Sequence, residues 1–142
     1  MRGKIIIARP MLVLVFLATS VAAQETDKKA VEHPPRLIQV IAKNFEFEPS
    51  EIHVKSGEKI QLKLFSVDRT HGIHVDPFPS GGRPSTAPGI SFTYGDDCLK
   101  LKKGMTETLE FTAEAPGTYL FLCCKKCGSG HGRMKGKIVI DP

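Results

Sequence analysis

The chain has no tryptophan and only two tyrosines among its 142 residues, and aromatic residues make up 7% of it. It has no internal repeat, no low-complexity tract and no basic motif typical of a nucleic-acid reader. The formal net charge of +5 includes Arg2, Lys4 and Arg9, which lie in a segment that we expect to be removed. With few rings for base stacking and little basic excess, we expect no nucleic-acid partner.

The sequence also lacks an apolar run long enough to cross a bilayer comfortably. Its main apolar run, residues 11–18, follows the three basic residues and precedes Val21-Ala22-Ala23. This is the layout of a secretory signal peptide, so residues 1–23 are predicted to be cleaved, with an uncleaved N-terminal anchor as the alternative. No cysteine lies near the cut, which excludes a lipid anchor there. The predicted location is secreted or periplasmic, with no transmembrane span in the mature chain.

No segment after the signal has the period of an amphipathic helix. Residues 24–35 are charged and polar and end in two prolines, which predicts a flexible leader. Residues 36–142 alternate short apolar runs with turn residues, the pattern of an all-β sandwich in one domain. About seven strands are expected. They cover residues 37–42, 51–54, 59–65, 71–75, 106–112, 118–123 and 137–140.

A long irregular stretch, residues 76–97, separates the strand that begins at His71 from the strand that begins at Thr106. It is rich in proline and glycine. Structureless loops of this length in compact domains are usually functional or disordered. We therefore expect this loop either to cover a site or dock a partner, or to be a flexible insertion.

The C-terminal part carries the most informative motif, C-x3-C-x3-H-x2-M. Its members are Cys123, Cys127, His131 and Met134. Two thiolates, an imidazole and a thioether form a soft ligand set, which favours copper over hard cations because sulfur is polarizable. The motif therefore predicts a copper site.

Four cysteines in an exported chain usually form two disulfides. Cys123, Cys124 and Cys127 are crowded together, however, and adjacent cysteines pair only with strain. If Cys123 and Cys127 hold metal, Cys98 and Cys124 remain for one disulfide that would tie the long loop to the site. We state this pairing as a hypothesis.

The upstream segment Asp68-x-x-His71 and the strand leading into the cysteine motif resemble a known family. Together with the Phe45-x-Phe47-x-Pro49 entry, they are similar to the cupredoxin domain of cytochrome c oxidase subunit II and nitrous oxide reductase. Both of these carry the binuclear CuA centre. The resemblance covers nearly all of the mature domain and implies a Greek-key, cupredoxin-like sandwich.

The resemblance also implies a ligand set. Cys123 and Cys127 would be bridging thiolates and His71 and His131 terminal imidazoles. Met134 and the carbonyl of Lys125 would be weak ligands. Such a site carries single electrons, so the resemblance implies an electron carrier rather than an enzyme.

Three departures from the oxidase pattern lead us to expect a protein other than an oxidase subunit. The chain shows no transmembrane hairpin, has no tryptophan for an electron-relay patch, and has Lys125 where subunit II typically has a glutamate. Lys125 and Lys126, with Arg133, Lys135 and Lys137 nearby, would surround the site with positive charge. This favours a redox partner with an acidic docking surface, unless the lysines are simply solvated.

The same residues allow other interpretations. A mononuclear blue-copper site would use His71, Cys127, His131 and Met134, and a zinc site would use two cysteines and two histidines. Cys124-x-x-Cys127 has the spacing of a redox dithiol, although no helix follows it. A copper delivery or storage protein without an electron-transfer role would use the same ligands as a carrier.

Overall fold

The computed structural model describes residues 33–81, 87–93 and 97–142. The chain divides into a short unit, Met1–Val31, and a larger unit, Glu32–Pro142, which holds all the described residues. The predicted signal peptide, residues 1–23, and most of the predicted leader, residues 24–35, lie outside the described residues. Within the described ranges, no helix has the length and apolar character needed to cross a bilayer.

The described residues form ten strands in two five-stranded sheets, and one short 3-10 helix at His131–Arg133. The strands are β1 Arg36–Lys43, β2 Glu46–Glu48, β3 Glu51–Lys55, β4 Lys59–Ser66, β5 His71–Val75, β6 Ile90–Phe92, β7 Leu99–Leu101, β8 Thr106–Ala113, β9 Gly117–Leu122 and β10 Lys135–Asp141. One sheet has the order β2-β1-β4-β8-β6 and the other β3-β10-β9-β5-β7. The predicted all-β sandwich is confirmed.

The strands follow the alternation of apolar and polar residues. In β4, Ile60, Leu62 and Leu64 are buried, whereas Lys63 and Phe65 between and after them are exposed. Each sheet thus has one apolar face, and the two faces meet in a single core. The chain crosses between the sheets, so that β1 pairs with β4 and β3 with β10 in parallel, while the other neighbours are antiparallel.

The sequence patterns located seven strands and missed β2, β6 and β7. Each missed strand has only three residues and lies at the edge of its sheet. Three residues are too few to show an alternating period in the sequence. These strands form because they pair with a longer neighbour. β6 lies within the predicted long loop and pairs with β8, and β7 follows that loop and pairs with β5.

The topology brings two loops to one end of the sandwich. β9 lies between β10 and β5, and it is antiparallel to both. Because His74 pairs with Leu122, the first residues of β5 extend alongside the chain that follows β9. The segment between β4 and β5 and the segment between β9 and β10 therefore meet at this end.

Candidate metal centre

His71 is the first residue of β5 and is fully buried. Its Nε2 donates a hydrogen bond to Oδ1 of Asp68 at 2.8 Å. Its Nδ1 is the only buried side-chain polar atom of the described residues without a hydrogen-bond partner. An unpaired buried ring nitrogen is costly unless something binds it, so Nδ1 is the atom of His71 available to a metal.

The two free cysteines lie directly beyond β9. Cys123 is 2% exposed and Cys127 is half-buried, and their Sγ atoms are 3.7 Å apart. The thiol of Cys123 donates to the carbonyl of Lys125 at 3.2 Å, so this carbonyl faces the sulfur of Cys123. His71, Cys123 and Cys127 form a group whose ligand atoms lie within 4.8 Å of one another. It is the only such group of three or more histidine, cysteine or acidic side chains in the described part of the chain.

His131 and Met134 complete the loop at its far end. Nδ1 of His131 lies 3.8 Å from Sγ of Cys127, outside the compact group but in contact with it. Met134 is 1% exposed, and its carbonyl accepts the backbone N–H of Cys123 at 2.9 Å. This bond joins the first and last residues of the loop, so the predicted motif residues converge on one region. Cys123, His131 and Met134 share the wall of a shallow cavity of about 180 Å³ beside the exposed side chains of Leu120 and Leu122.

Cys98 and Cys124 form a disulfide, which is the pairing hypothesised from the sequence. It joins the residue beside Cys123 to the segment before β7. Gly72 lies under it, where an added Cβ would come within 2.8 Å of Sγ of Cys124. The cysteines are therefore divided between one disulfide and one thiol pair.

His74 points to the other face from His71, and its Nδ1 bonds to the carbonyl of Asp97.

Two groups at the site, Asp68 and Cys127, have strongly shifted pKa values. Partial burial alone would raise the pKa of Asp68, but hydrogen bonds from His71, Arg69 and the N–H of Asn44 outweigh burial and hold this pKa well below its usual value. Asp68 is thus a carboxylate that fixes the ring of His71. Burial and the neighbouring thiol of Cys123 raise the pKa of Cys127 to about 11 in the metal-free protein.

These residues fit a soft metal ion. The donors are two thiols and two imidazoles, with a buried thioether in the same loop, and no carboxylate belongs to the compact group. Sulfur and nitrogen donors of this kind suit copper or zinc and not magnesium or calcium. A histidine that binds a metal usually donates its other ring N–H to a carboxylate, as His71 does to Asp68, and this leaves Nδ1 for the metal.

Two residues beside the site had no role assigned from the sequence. Arg69 donates from Nη1 to the carbonyl of Cys127 at 3.2 Å and lies over the ring of Phe45, with 4.5 Å from Cζ to the ring centroid. An arginine inside a D-x-x-H motif has the sequence context of a solvated loop residue. Only the meeting of the two loops in space reveals its contacts.

The profile of the cupredoxin-like domain family matches residues 10–140. The chain is 30% identical over 103 residues to a cytochrome c oxidase subunit 2 of Thermus thermophilus, a match that covers 72% of this chain and 64% of that protein. A second subunit 2 sequence from the same species is also 30% identical, with 51% of its length covered. The chain thus spans less than two thirds of these relatives.

Solved structures share the fold. Dithionite-reduced auracyanin from Roseiflexus castenholzii superposes with a TM-score of 0.55 at 26% identity, covering 75% of this chain and 97% of that one. A heme-copper terminal oxidase dimer contains a chain that matches with a TM-score of 0.56 at 23% identity, covering 78% and 68%. At that identity the second likeness concerns the fold alone.

Proposed function

The chain belongs to the cupredoxin-like domain family, and on that premise we propose that it is an exported copper protein that carries single electrons through a CuA-like binuclear site. The observation that carries the proposal is the pair of free thiols 3.7 Å apart beside a buried histidine whose Nδ1 has no partner. The residues that would hold the copper are Cys123, Cys127, His71 and His131. Met134 and the Lys125 carbonyl would be weak ligands.

Copper, when bound, supplies a one-electron redox couple, and the chain contributes rigidity. His71 is fixed by Asp68, Cys123 by its backbone bond to Met134, and the residue after Cys123 by a disulfide. A site held from several sides changes little between oxidation states, which keeps the reorganisation energy of electron transfer low.

Electrons would leave on the side of the cavity beside His131. The exposed side chains of Leu120 and Leu122 provide an apolar contact there, beside Lys135. Exposed Lys125, Lys126 and Arg133 add positive charge on the loop between β9 and β10. An apolar centre with a basic rim fits a redox partner with an acidic docking surface. The location we propose, periplasmic or secreted, rests on the predicted signal peptide.

The metal content of the mature protein tests the proposal. We expect two copper ions per chain and a delocalised mixed-valence electron spin resonance signal, with a reversible one-electron wave in voltammetry. Cys123→Ser should abolish the binuclear spectrum because one of the two shared thiolates is lost. Ser129→Ala, a change at an exposed serine of the same loop, is the matched control and should keep it.

A mononuclear blue-copper carrier is the second candidate. It is favoured by the contact of His131 with Cys127 alone and by the bond of the Cys123 thiol to the Lys125 carbonyl. One copper per chain with an intense blue band, retained in Cys123→Ser, would establish it instead. Rapid transfer of copper to a metal-free acceptor protein, without a reversible wave in voltammetry, would contradict both electron-carrier proposals. It would indicate a copper-delivery protein instead.

A further inference from the structure

Arg69 belongs to the segment that leads into His71, and it is hydrogen-bonded to this segment and to the loop that holds Cys127. Its Nε donates to Oδ2 of Asp68 at 2.9 Å, and its Nη1 donates to the carbonyl of Cys127 at 3.2 Å. The other oxygen of Asp68 accepts the bond from His71. A continuous chain of hydrogen bonds therefore runs from the ring of His71 through one carboxylate and one guanidinium to the backbone of Cys127.

The ring of Phe45 packs against the face of this guanidinium. It lies 4.5 Å from Cζ of Arg69, within the range of a cation–π contact. Phe45 has φ +63°, and Asn44 before it has φ +52°, values that residues other than glycine rarely adopt. Asn44 and Phe45 are the two residues of the turn between β1 and β2, and a tight hairpin turn of this length commonly needs positive φ at both. This turn places the ring of Phe45 against Arg69 and the cysteine loop.

The cysteine loop is shaped to receive this ring. A Cβ on Gly130 would lie 2.4 Å from the ring of Phe45, and a Cβ on Gly128 would lie 2.9 Å from the ring and 3.2 Å from Nη1 of Arg69. Gly128 also has φ +136°, which favours glycine. Phe45 and Arg69 thus occupy the space that side chains at 128 and 130 would need.

We propose that Arg69, seated on Phe45, is the positioning residue of the copper centre, because it holds the His71 segment and the Cys127 loop at a fixed separation before metal binds. The inference rests on the proposed copper site. The planar guanidinium donates in two directions from a rigid fork, which an ammonium group does not. The bonds to the carboxylate and to the carbonyl need this fork, since they leave from two different nitrogens, Nε and Nη1.

Copper release tests the proposal. The variants are Arg69→Gln and Arg69→Lys, with Lys55→Gln as control, since Lys55 is exposed at the opposite end of the sandwich and its replacement changes the net charge equally. We expect Arg69→Gln to speed copper loss to a chelator about 10- to 100-fold, the usual effect of removing a residue that orients metal ligands. Arg69→Lys should fall between Arg69→Gln and the wild type. Lys55→Gln should match the wild type.

A second measurement needs no metal. In the metal-free protein, amide hydrogen exchange at residues 125–130 should be faster in Arg69→Gln than in Lys55→Gln, because the carbonyl of Cys127 has lost its anchor. Copper release and exchange equal to those of Lys55→Gln would overturn the proposal. If Arg69→Gln does not fold, Arg69→Lys carries the test, and wild-type values there overturn it. A wild type that binds no copper would instead refute the proposed function. The exchange experiment would still test whether Arg69 anchors the loop that holds Cys127.

Discussion

At the scale of single residues, Gly130 and Gly132 differ sharply although they lie two positions apart. A Cβ on Gly130 would lie 2.4 Å from Phe45, whereas a Cβ on Gly132 would meet nothing within 4 Å. We expect Gly130→Ala to lower the free energy of unfolding by about 1–3 kcal/mol, the usual cost of overpacking. Denaturant unfolding of the metal-free protein measures this, with Gly132→Ala as the matched control. Equal stability of the two variants would contradict the close approach of Phe45 to the loop.

Most of the candidate ligand residues could be located in the sequence because they lie close together in the chain. Cys123, Cys127, His131 and Met134 lie within one short loop, and their spacing alone indicates a soft-metal site. The roles of Arg69 and Phe45 could not be predicted in this way. Their contacts join residues far apart in the chain, and they depend on how the sandwich brings two loops together.

The disulfide is a feature at the scale of structural elements, because it links the segment before β7 to the loop after β9. Cys98 and Cys124 are 26 positions apart, and closing a loop of that length restricts the unfolded chain. The chain-entropy estimate for this loop is about 3.5 kcal/mol. We expect Cys98→Ser with Cys124→Ser to lower the free energy of unfolding by about that amount, measured by urea titration. The double change avoids leaving a third thiol beside Cys123, and unchanged stability would show that the link does not stabilise the fold.

Tyr119 anchors β9 to the turn that precedes it. Its ring is fully buried, and its hydroxyl donates to the carbonyl of Ala115 at 2.8 Å. An added Cβ on Gly89 would overlap this hydroxyl, so the glycine leaves the space that the tyrosine fills. We expect Tyr119→Phe to cost about 1 kcal/mol near neutral pH, through loss of the hydrogen bond.

The pH dependence of that difference has a definite sign. Burial raises the pKa of Tyr119 above its ordinary value of 10.0. Below that pH both states are neutral, but above it the unfolded chain loses the phenol proton while the folded chain keeps it, so unfolding becomes more favourable. The stability advantage of the wild type over Tyr119→Phe should therefore shrink as pH rises above 10.0. Parallel stability curves for the two proteins would argue against a buried phenol.

Long strands could be predicted from the sequence more readily than short ones. β1, β4 and β8 have eight residues each, enough for the alternation of buried and exposed positions to be visible in the sequence. β2, β6 and β7 were missed because they exist only through pairing with longer neighbours. The parallel pairing of β1 with β4 is likewise a property of the assembled sheet and leaves no local signal.

At the scale of the whole molecule, positive charge is concentrated where the candidate centre lies. Lys125, Lys126, Arg133 and Lys135 belong to the loop between β9 and β10 or to the start of β10, and all are exposed. Lys55 lies at the opposite end of the sandwich, since it pairs with Asp141 at the end of β10. Exposed charges act on encounter rates through a field that salt screens within about 10 Å at moderate ionic strength.

This asymmetry predicts how electron exchange depends on salt. The basic rim attracts an anionic reductant, so the rate at which such a reagent reduces the copper-loaded protein should fall as salt is added. The rim repels a cationic reductant, so the rate with that reagent should rise. Lys126→Glu should weaken both trends, measured by stopped-flow absorbance. Lys55→Glu makes the same charge change at the far end of the molecule and should leave both trends near those of the wild type. If the two variants behave alike, the net charge and not the rim governs the encounter, and the proposal of an acidic partner at the Leu120 and Leu122 surface fails.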